Sequence, residues 1–271
     1  MDWRKKKEGG VIGAPEVVVV RSRQPKYRYE PRQTLTNLAS LRLLIFGDKL
    51  VKESRLPKNM LEGIEHEIDR AGHFGQRLEE LVYNAAKDGK VVYRTKNDDL
   101  LISYWSLVFD YSKGIVCLLA NKFHSPAFAL MRPLVEAVTR EHIVLVGSDD
   151  DVKKIRSDRF KVNYYKDGAK IDKVLGSGTL FEGFLKDSRE MLHSLTHSGT
   201  AQLQNRWDGD ALGSGFSDDR ILALLTTCSI SVFMTTILVT RHFGLDEQRQ
   251  AAEAAFLELG PPVAAMPART P

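Results

Sequence analysis

The chain is poor in cysteine, with two among its 271 residues. Cys117 and Cys228 lie far apart, each inside an apolar run. A disulfide framework or a four-cysteine zinc site needs more cysteines than this, so both classes are excluded. We predict that the two residues fill the core as small side chains, and that the protein works in a reducing, cytoplasmic compartment.

Long hydrophobic runs are also scarce. The charged start at Arg4 to Lys7 is not followed by an apolar stretch of signal-peptide length, so we expect no secretory signal. One segment, Ile221 to Thr240, has no charged residue and is about long enough to span a bilayer. Seven of its positions are Ser or Thr. We therefore predict a buried bundle helix and no membrane span, with a membrane-associated protein as the alternative.

Acidic residues are few at one end of the chain. Residues 1–58 hold 14 basic and 6 acidic side chains, a net charge of +8, whereas the rest hold 25 and 29, a net charge of −4. A positive segment is typical of proteins that bind RNA, another polyanion or an acidic partner protein. The alternative is a solvated arm that only aids solubility.

The remaining pattern predicts an all-α fold, a bundle of about six to eight helices in one domain. Residues 1–32 are predicted as a basic extended arm with one short β-like run, residues 33–259 as the helical bundle domain, and residues 260–271 as a disordered tail. The first helical pattern begins at Thr34 and ends at Pro57, and its apolar stripe is Leu38, Leu41, Leu44, Ile45 and Leu50. Further helices are predicted over 59–87, 97–122, 125–146, 148–162, 180–197, 217–243 and 245–259, with a loop at 207–215.

One predicted helix carries a polar stripe that a plain core does not need. Arg132, Glu136 and Arg140 recur every four residues and therefore share one helix face. Pro133 lies inside this helix, where it removes a backbone donor and should kink the helix near Ala129. We predict that Arg132 and Arg140 bind substrate through a phosphate or a developing oxyanion.

A second polar stripe consists of Arg189, His193 and His197, again four residues apart. Two histidines one turn apart can act as general acid and base or bind a phosphate, and Arg189 with nearby Arg206 favours an anion over a cation. If the two stripes face each other, Glu136 can orient one imidazole. The candidate catalytic residues are then His193, His197, Glu136 and Arg189, and Arg206 joins the substrate-binding arginines. The alternative is a polar network that is only structural.

No metal or cofactor is predicted. The metal-binding pattern His-Glu-x-x-His is absent from the sequence. His66-Glu67 matches its first two positions, but Arg70 occupies the position of the second histidine. His124 and His142 flank the arginine-bearing helix and are expected at helix ends or on the surface.

The two polar segments resemble those of a group of uncharacterised bacterial helical proteins. The resemblance rests on the Arg132-Pro133…Glu136 helix and on the Thr196-His197-x-Gly199 motif. Those proteins are in turn similar to HEPN domains of abortive-infection and toxin–antitoxin systems. The resemblance covers roughly residues 97–243. It implies a four-helix core with extra helices and a homodimer.

The resemblance also implies metal-independent RNA cleavage, which in many HEPN domains uses an arginine and a histidine with four to six residues between them. This chain has no such pair, because three residues separate Arg189 from His193 and seven separate it from His197. The ribonuclease activity therefore does not transfer by motif.

Two functions stay open at the level of sequence. The first is a defence-type effector that binds or cleaves RNA at the Arg/Glu/His cluster. The second is a non-catalytic interaction module, a subunit of a toxin–antitoxin or defence complex, whose polar cluster is structural.

Overall fold

A computed structural model describes residues 63–175, 178–179, 181–183, 185, 207–208, 211–212 and 216–260. Within them the fold is an all-α helical bundle, as predicted. Eight helices lie in the described part: α1 (Ile64–Lys87), α2 (Asp98–Ala120), α3 (His124–Ala129), α4 (Met131–Val146), α5 (Asp149–Arg156), α6 (Lys166–Leu175), α7 (Asp218–Phe243) and α8 (Asp246–Leu259). The predicted basic arm, the helix over 34–56 and the tail beyond Gly260 lie outside the described residues.

Helix α7 is the central element, and α1, α2, α4 and α8 pack around it. Two of its five buried hydroxyl groups are satisfied locally, because Thr236 and Thr240 donate to backbone oxygens one turn earlier, at 2.7 and 2.8 Å. The helix is long and apolar enough to cross a bilayer, and 67% of its most apolar window is buried inside the bundle. A core helix of a bundle passes the same test.

The arginine-bearing helix is divided where the sequence predicts a kink. α3 ends at Ala129, Leu130 forms a turn, and α4 begins at Met131. Pro133 has no N–H to donate to the carbonyl of Ala129, which explains the break at this position. Beyond it, α4 packs along α2 and buries Leu134 and Val138, so the predicted helical hairpin is confirmed.

One predicted helix end and one predicted cap differ from the structure, and helix α6 over Lys166–Leu175 was not predicted. Ser148 caps α5 with a full capping box to Asp151, as its sequence indicates, but α5 ends at Arg156 rather than near Val162. The chain turns there through Asp158, which has a φ of +53°. At α2, Asn97 occupies the cap position without a side-chain hydrogen bond. Asp98 satisfies the local backbone instead, accepting from the N–H groups of Arg94 and Thr95 at 2.6 and 3.0 Å.

The segment after α6 is held against it by one buried carboxylate. Asp172 accepts hydrogen bonds from the N–H groups of Phe181 and Glu182, at 3.0 and 2.9 Å. Gly168 allows the close approach, since a Cβ there would lie 2.6 Å from the Glu182 Cα. Further along, the predicted loop contains a two-residue antiparallel pairing, with Trp207–Asp208 against Ala211–Leu212.

Candidate functional site

The structure describes three of the seven predicted site residues. Arg132, Glu136 and Arg140 lie on one face of α4, as the spacing predicts. The other four, Arg189, His193, His197 and Arg206, lie outside the described residues. The convergence of the two polar stripes therefore stays a prediction.

Glu136 is the centre of a half-buried polar cluster. Its Oε1 accepts from Arg132 Nε at 2.9 Å and from the Tyr164 hydroxyl at 3.1 Å, and its Oε2 accepts from Arg140 Nη2 at 3.3 Å. Tyr164 follows α5 in the chain, so it joins the cluster from outside the helix. We call these four residues the Arg–Glu–Arg–Tyr cluster.

Burial and charge tune the groups of this cluster. Burial, together with the negative charge of Glu136, raises the pKa of Tyr164 to about 12. The hydrogen bond to Glu136 raises the pKa of Arg132. At neutral pH Tyr164 is therefore a neutral donor and Arg132 a permanent cation.

Both guanidinium groups of the cluster are partly exposed. The side chains of Arg132 and Arg140 are 28% and 26% exposed, whereas that of Glu136 is 17% exposed. Arg140 uses one N–H on Glu136, and its other donors form no hydrogen bond within the described part of the chain. Two arginines and one carboxylate leave a net charge of +1, and a guanidinium presents a planar fork that matches phosphate oxygens.

Glu136 itself has little room for another partner. A carboxylate offers about four acceptor positions, and three are used here. Its clearest role is to fix the two guanidinium groups and the phenol. Among the described contacts one position is left, which an imidazole N–H of the second stripe would fill if the two predicted stripes face each other.

His142 differs from the sequence-based expectation. It is buried in α4 rather than exposed, its Nδ1 lies 2.8 Å from the Val138 carbonyl oxygen, and its ring lies 4.6 Å from the Phe181 ring. Burial lowers the pKa of His142 to about 4, so it is neutral at physiological pH. The contact shows that the chain leading towards residues 189–197 begins against α4.

The expectation that both cysteines fill the core is wrong for one of them. Cys228 is buried on α7, and burial raises the pKa of its thiol to about 12. Cys117 is exposed on α2. Its position in an apolar run did not reveal that it lies on the outer side of the helix.

Sequence reasoning also missed a buried acid, Glu141, one residue after Arg140. Its side chain is fully buried, and neither oxygen has a hydrogen-bond partner within the described residues. Burial raises the pKa of Glu141 to about 8, although the nearby Thr235 hydroxyl on α7 acts in the opposite direction. The side chain is therefore mainly protonated at neutral pH. In the sequence, the position of Glu141 relative to its neighbours does not distinguish it from the exposed acidic residues.

Sequence reasoning also missed a hydrogen-bonded pair that joins the start of α2 to the end of α7. His242 near the end of α7 donates from Nε2 to Asp98 Oδ1 at 2.9 Å, and Asp98 is 1% exposed. Burial acts to raise the pKa of Asp98, but hydrogen bonds from His242, Thr95 and Arg94 outweigh it and hold that pKa far below its usual range. This hydrogen bond links α2 and α7 directly.

Within the described residues, no three His, Cys, Asp or Glu side chains are placed to hold a metal ion. Comparison of the chain with protein-family models, curated proteins and solved structures gives no match. The assignment of function therefore depends on the residues themselves.

Proposed function

We propose that this protein is a defence-type helical effector that binds RNA, and that the Arg–Glu–Arg–Tyr cluster contacts the phosphate backbone. The observation that carries the proposal is the pair of partly exposed guanidinium groups that both hydrogen-bond to Glu136 on one face of α4. Such a pair is preorganised, so little side-chain entropy is lost when a phosphate binds.

RNA is the anion that the rest of the chain favours. The N-terminal 58 residues carry a net charge of +8, which suits a long polyanion better than a small phosphate compound. In this proposal the arm contributes attraction without base specificity, and the cluster positions one phosphate.

Cleavage of the bound RNA is the finer part of the proposal. It assigns acid–base roles to His193 and His197, with Arg189 and Arg206 on phosphate, and no metal or cofactor. The described contacts support the approach of this segment to α4, because Phe181 packs on His142. Suppose that the predicted helix 180–197 continues antiparallel to α4 from the contact between Phe181 and His142. The eight residues from Phe181 to Arg189 then cover about 12 Å, and the six residues from His142 back to Glu136 cover about 9 Å in the same direction. Arg189 would then come close to Glu136.

The test compares two arginines of similar local setting. Arg140 pairs with Glu136 on α4, and Arg249 pairs with Glu253 on α8, each four residues away and about one quarter exposed. We expect Arg140→Gln to weaken binding of single-stranded RNA. The affinity should also fall less steeply with salt, with the slope of log affinity against log salt smaller in magnitude by about 1. Arg249→Gln should leave both unchanged.

The alternative function is the non-catalytic interaction module. It is favoured by the three hydrogen bonds that Glu136 already accepts, which are typical of a structural network. If Arg140→Gln lowers only the melting temperature and leaves RNA affinity intact, the alternative is correct. If His197→Ala abolishes RNA cleavage while affinity and melting temperature stay unchanged, the ribonuclease proposal is correct.

The remaining parts of the proposal concern assembly and location. A homodimer, a partner protein and a cytoplasmic site of action follow from the resemblance and from the composition. Light scattering on detergent-free protein tests the dimer and the absence of membrane association together.

A further inference from the structure

A small groove that opens to solvent lies where α1, α7 and α8 meet. Ala71 of α1, Leu222 and Thr226 of α7 and Leu259 of α8 line it, and each of them is partly exposed. The Glu67–Arg70 ion pair forms one edge. Small and apolar side chains bordered by one ion pair form a surface on which another helix can pack closely.

We infer that residues 34–56 of this same chain dock in this groove as an amphipathic helix. The chain that precedes the first described residue, Gly63, is 62 residues long and enters α1 only a few residues before Glu67 and Ala71. The segment 34–56 carries the apolar stripe Leu38, Leu41, Leu44 and Ile45, and a helix of this length is stable in water mainly where such a stripe packs on another apolar surface.

The connection has the right length for an antiparallel arrangement. Pro57 ends the predicted helix, and residues 57–63 join it to α1. Connections of about two to eight residues are usual between neighbouring helices of a bundle. A segment joined so closely therefore reaches the groove at high effective concentration.

Charge does not oppose this occupant. Residues 34–56 hold four basic and two acidic side chains, a net charge of +2. At the edge of the groove, Glu67 of α1 is paired with Arg70, so the two charges cancel. The inference therefore depends on the apolar stripe and on the short connection, and not on charge.

Thiol labelling of the full-length chain tests the inference. The exposed thiol of Cys117 is first removed by Cys117→Ser. In that background, Thr226→Cys reports on the groove. The control is Val174→Cys on α6, where the native side chain is 46% exposed. We expect Cys at 226 to label slowly, and the added pair Leu41→Asp and Ile45→Asp to speed its labelling by about tenfold while leaving position 174 unchanged. Labelling at 226 as fast as at 174 in the unaltered segment would overturn the inference.

A second measurement covers the case in which the aspartate variants do not fold. Cysteines at Leu41 or Ile45 should form a disulfide with Cys at 226 under mild oxidation, because they belong to the docking stripe. Cys at Ala39, on the other side of that helix, should not. Equal crosslinking from all three positions would contradict the inference. So would protection of position 226 that depends on protein concentration, because a second copy would then be the occupant.

Discussion

Helix α4 carries two glutamates five residues apart that have opposite surroundings. Glu136 is half-buried and accepts hydrogen bonds from two arginines and a tyrosine. Glu141 is fully buried against α7, with no hydrogen-bond partner in the described part of the bundle. One carboxyl is held by cations, and the other is kept neutral by burial.

The difference shows how one helix separates a polar, partly exposed face from a core face. A carboxylate near the surface stays ionised when charged partners stabilise it. A buried carboxyl without a cation avoids the cost of desolvation by keeping its proton. The proposed phosphate contact uses only the first face, and the following predictions test this division.

The largest expected effect is a pH-dependent stability that comes from Glu141. Its pKa is raised from 4.5 to about 8, so between these values the folded state holds a proton that the unfolded state has lost. Stability must therefore fall as pH rises, by about 1.4 kcal/mol per unit and about 3–5 kcal/mol in total. Denaturant unfolding from pH 5 to 8.5 should show this fall relative to Glu141→Gln. Parallel curves for the two proteins would show that Glu141 is ionised in the fold.

The next effect concerns the paired acid. Glu136→Gln weakens the contacts to both arginines and should cost about 1–2 kcal/mol at pH 7, together with RNA affinity. Glu253→Gln, which weakens a single ion pair on α8, should cost about 0.5 kcal/mol or less. Equal losses in the two variants, measured by denaturant unfolding, would mean that the cluster is no more than an ordinary surface pair.

A smaller effect is expected from the phenol of the cluster. Tyr164→Phe removes the donor to Glu136 Oε1 and should cost about 0.5–1.5 kcal/mol. Tyr83→Phe is the matched control, because Tyr83 is 63% exposed, and its effect should stay within about 0.5 kcal/mol. An absorbance titration in which no tyrosine ionises near pH 12 would contradict the assigned environment of Tyr164.

The smallest effect is expected beside the unpaired acid. The Thr235 hydroxyl is buried and has no hydrogen-bond partner among the described residues, so Thr235→Val should be neutral or stabilising by up to about 1 kcal/mol. Thr236→Val, which removes a hydroxyl that donates to Val232 at 2.7 Å, should be destabilising instead. The order of the two melting temperatures is the measurement. A clear loss in Thr235→Val would show that this hydroxyl has a bonding role.

Much of this fold was readable from periodicity and local chemistry. The Ser148 capping box, the break before Pro133 and the glycine stop at Gly244, with a φ of +71°, follow from short-range rules. The shared face of Arg132 and Arg140 follows from helical spacing alone. These features depend on residues within a few positions of one another.

The rest depends on contacts between distant segments. Tyr164 reaches Glu136 from 28 positions away, and His242 reaches Asp98 from 144 positions away. Burial of Glu141 is decided by α7, whose distance from α4 no spacing rule predicts. His142 was misplaced for the same reason, because Phe181 covers it from another segment.

The most direct test of the central claim is photocrosslinking of 4-thiouridine RNA to the full-length protein, followed by mass spectrometric mapping. The account predicts crosslinks to Tyr164 or within residues 131–140, and their loss in the Arg140→Gln variant. Crosslinks confined to residues 1–32, unchanged by that substitution, would contradict it.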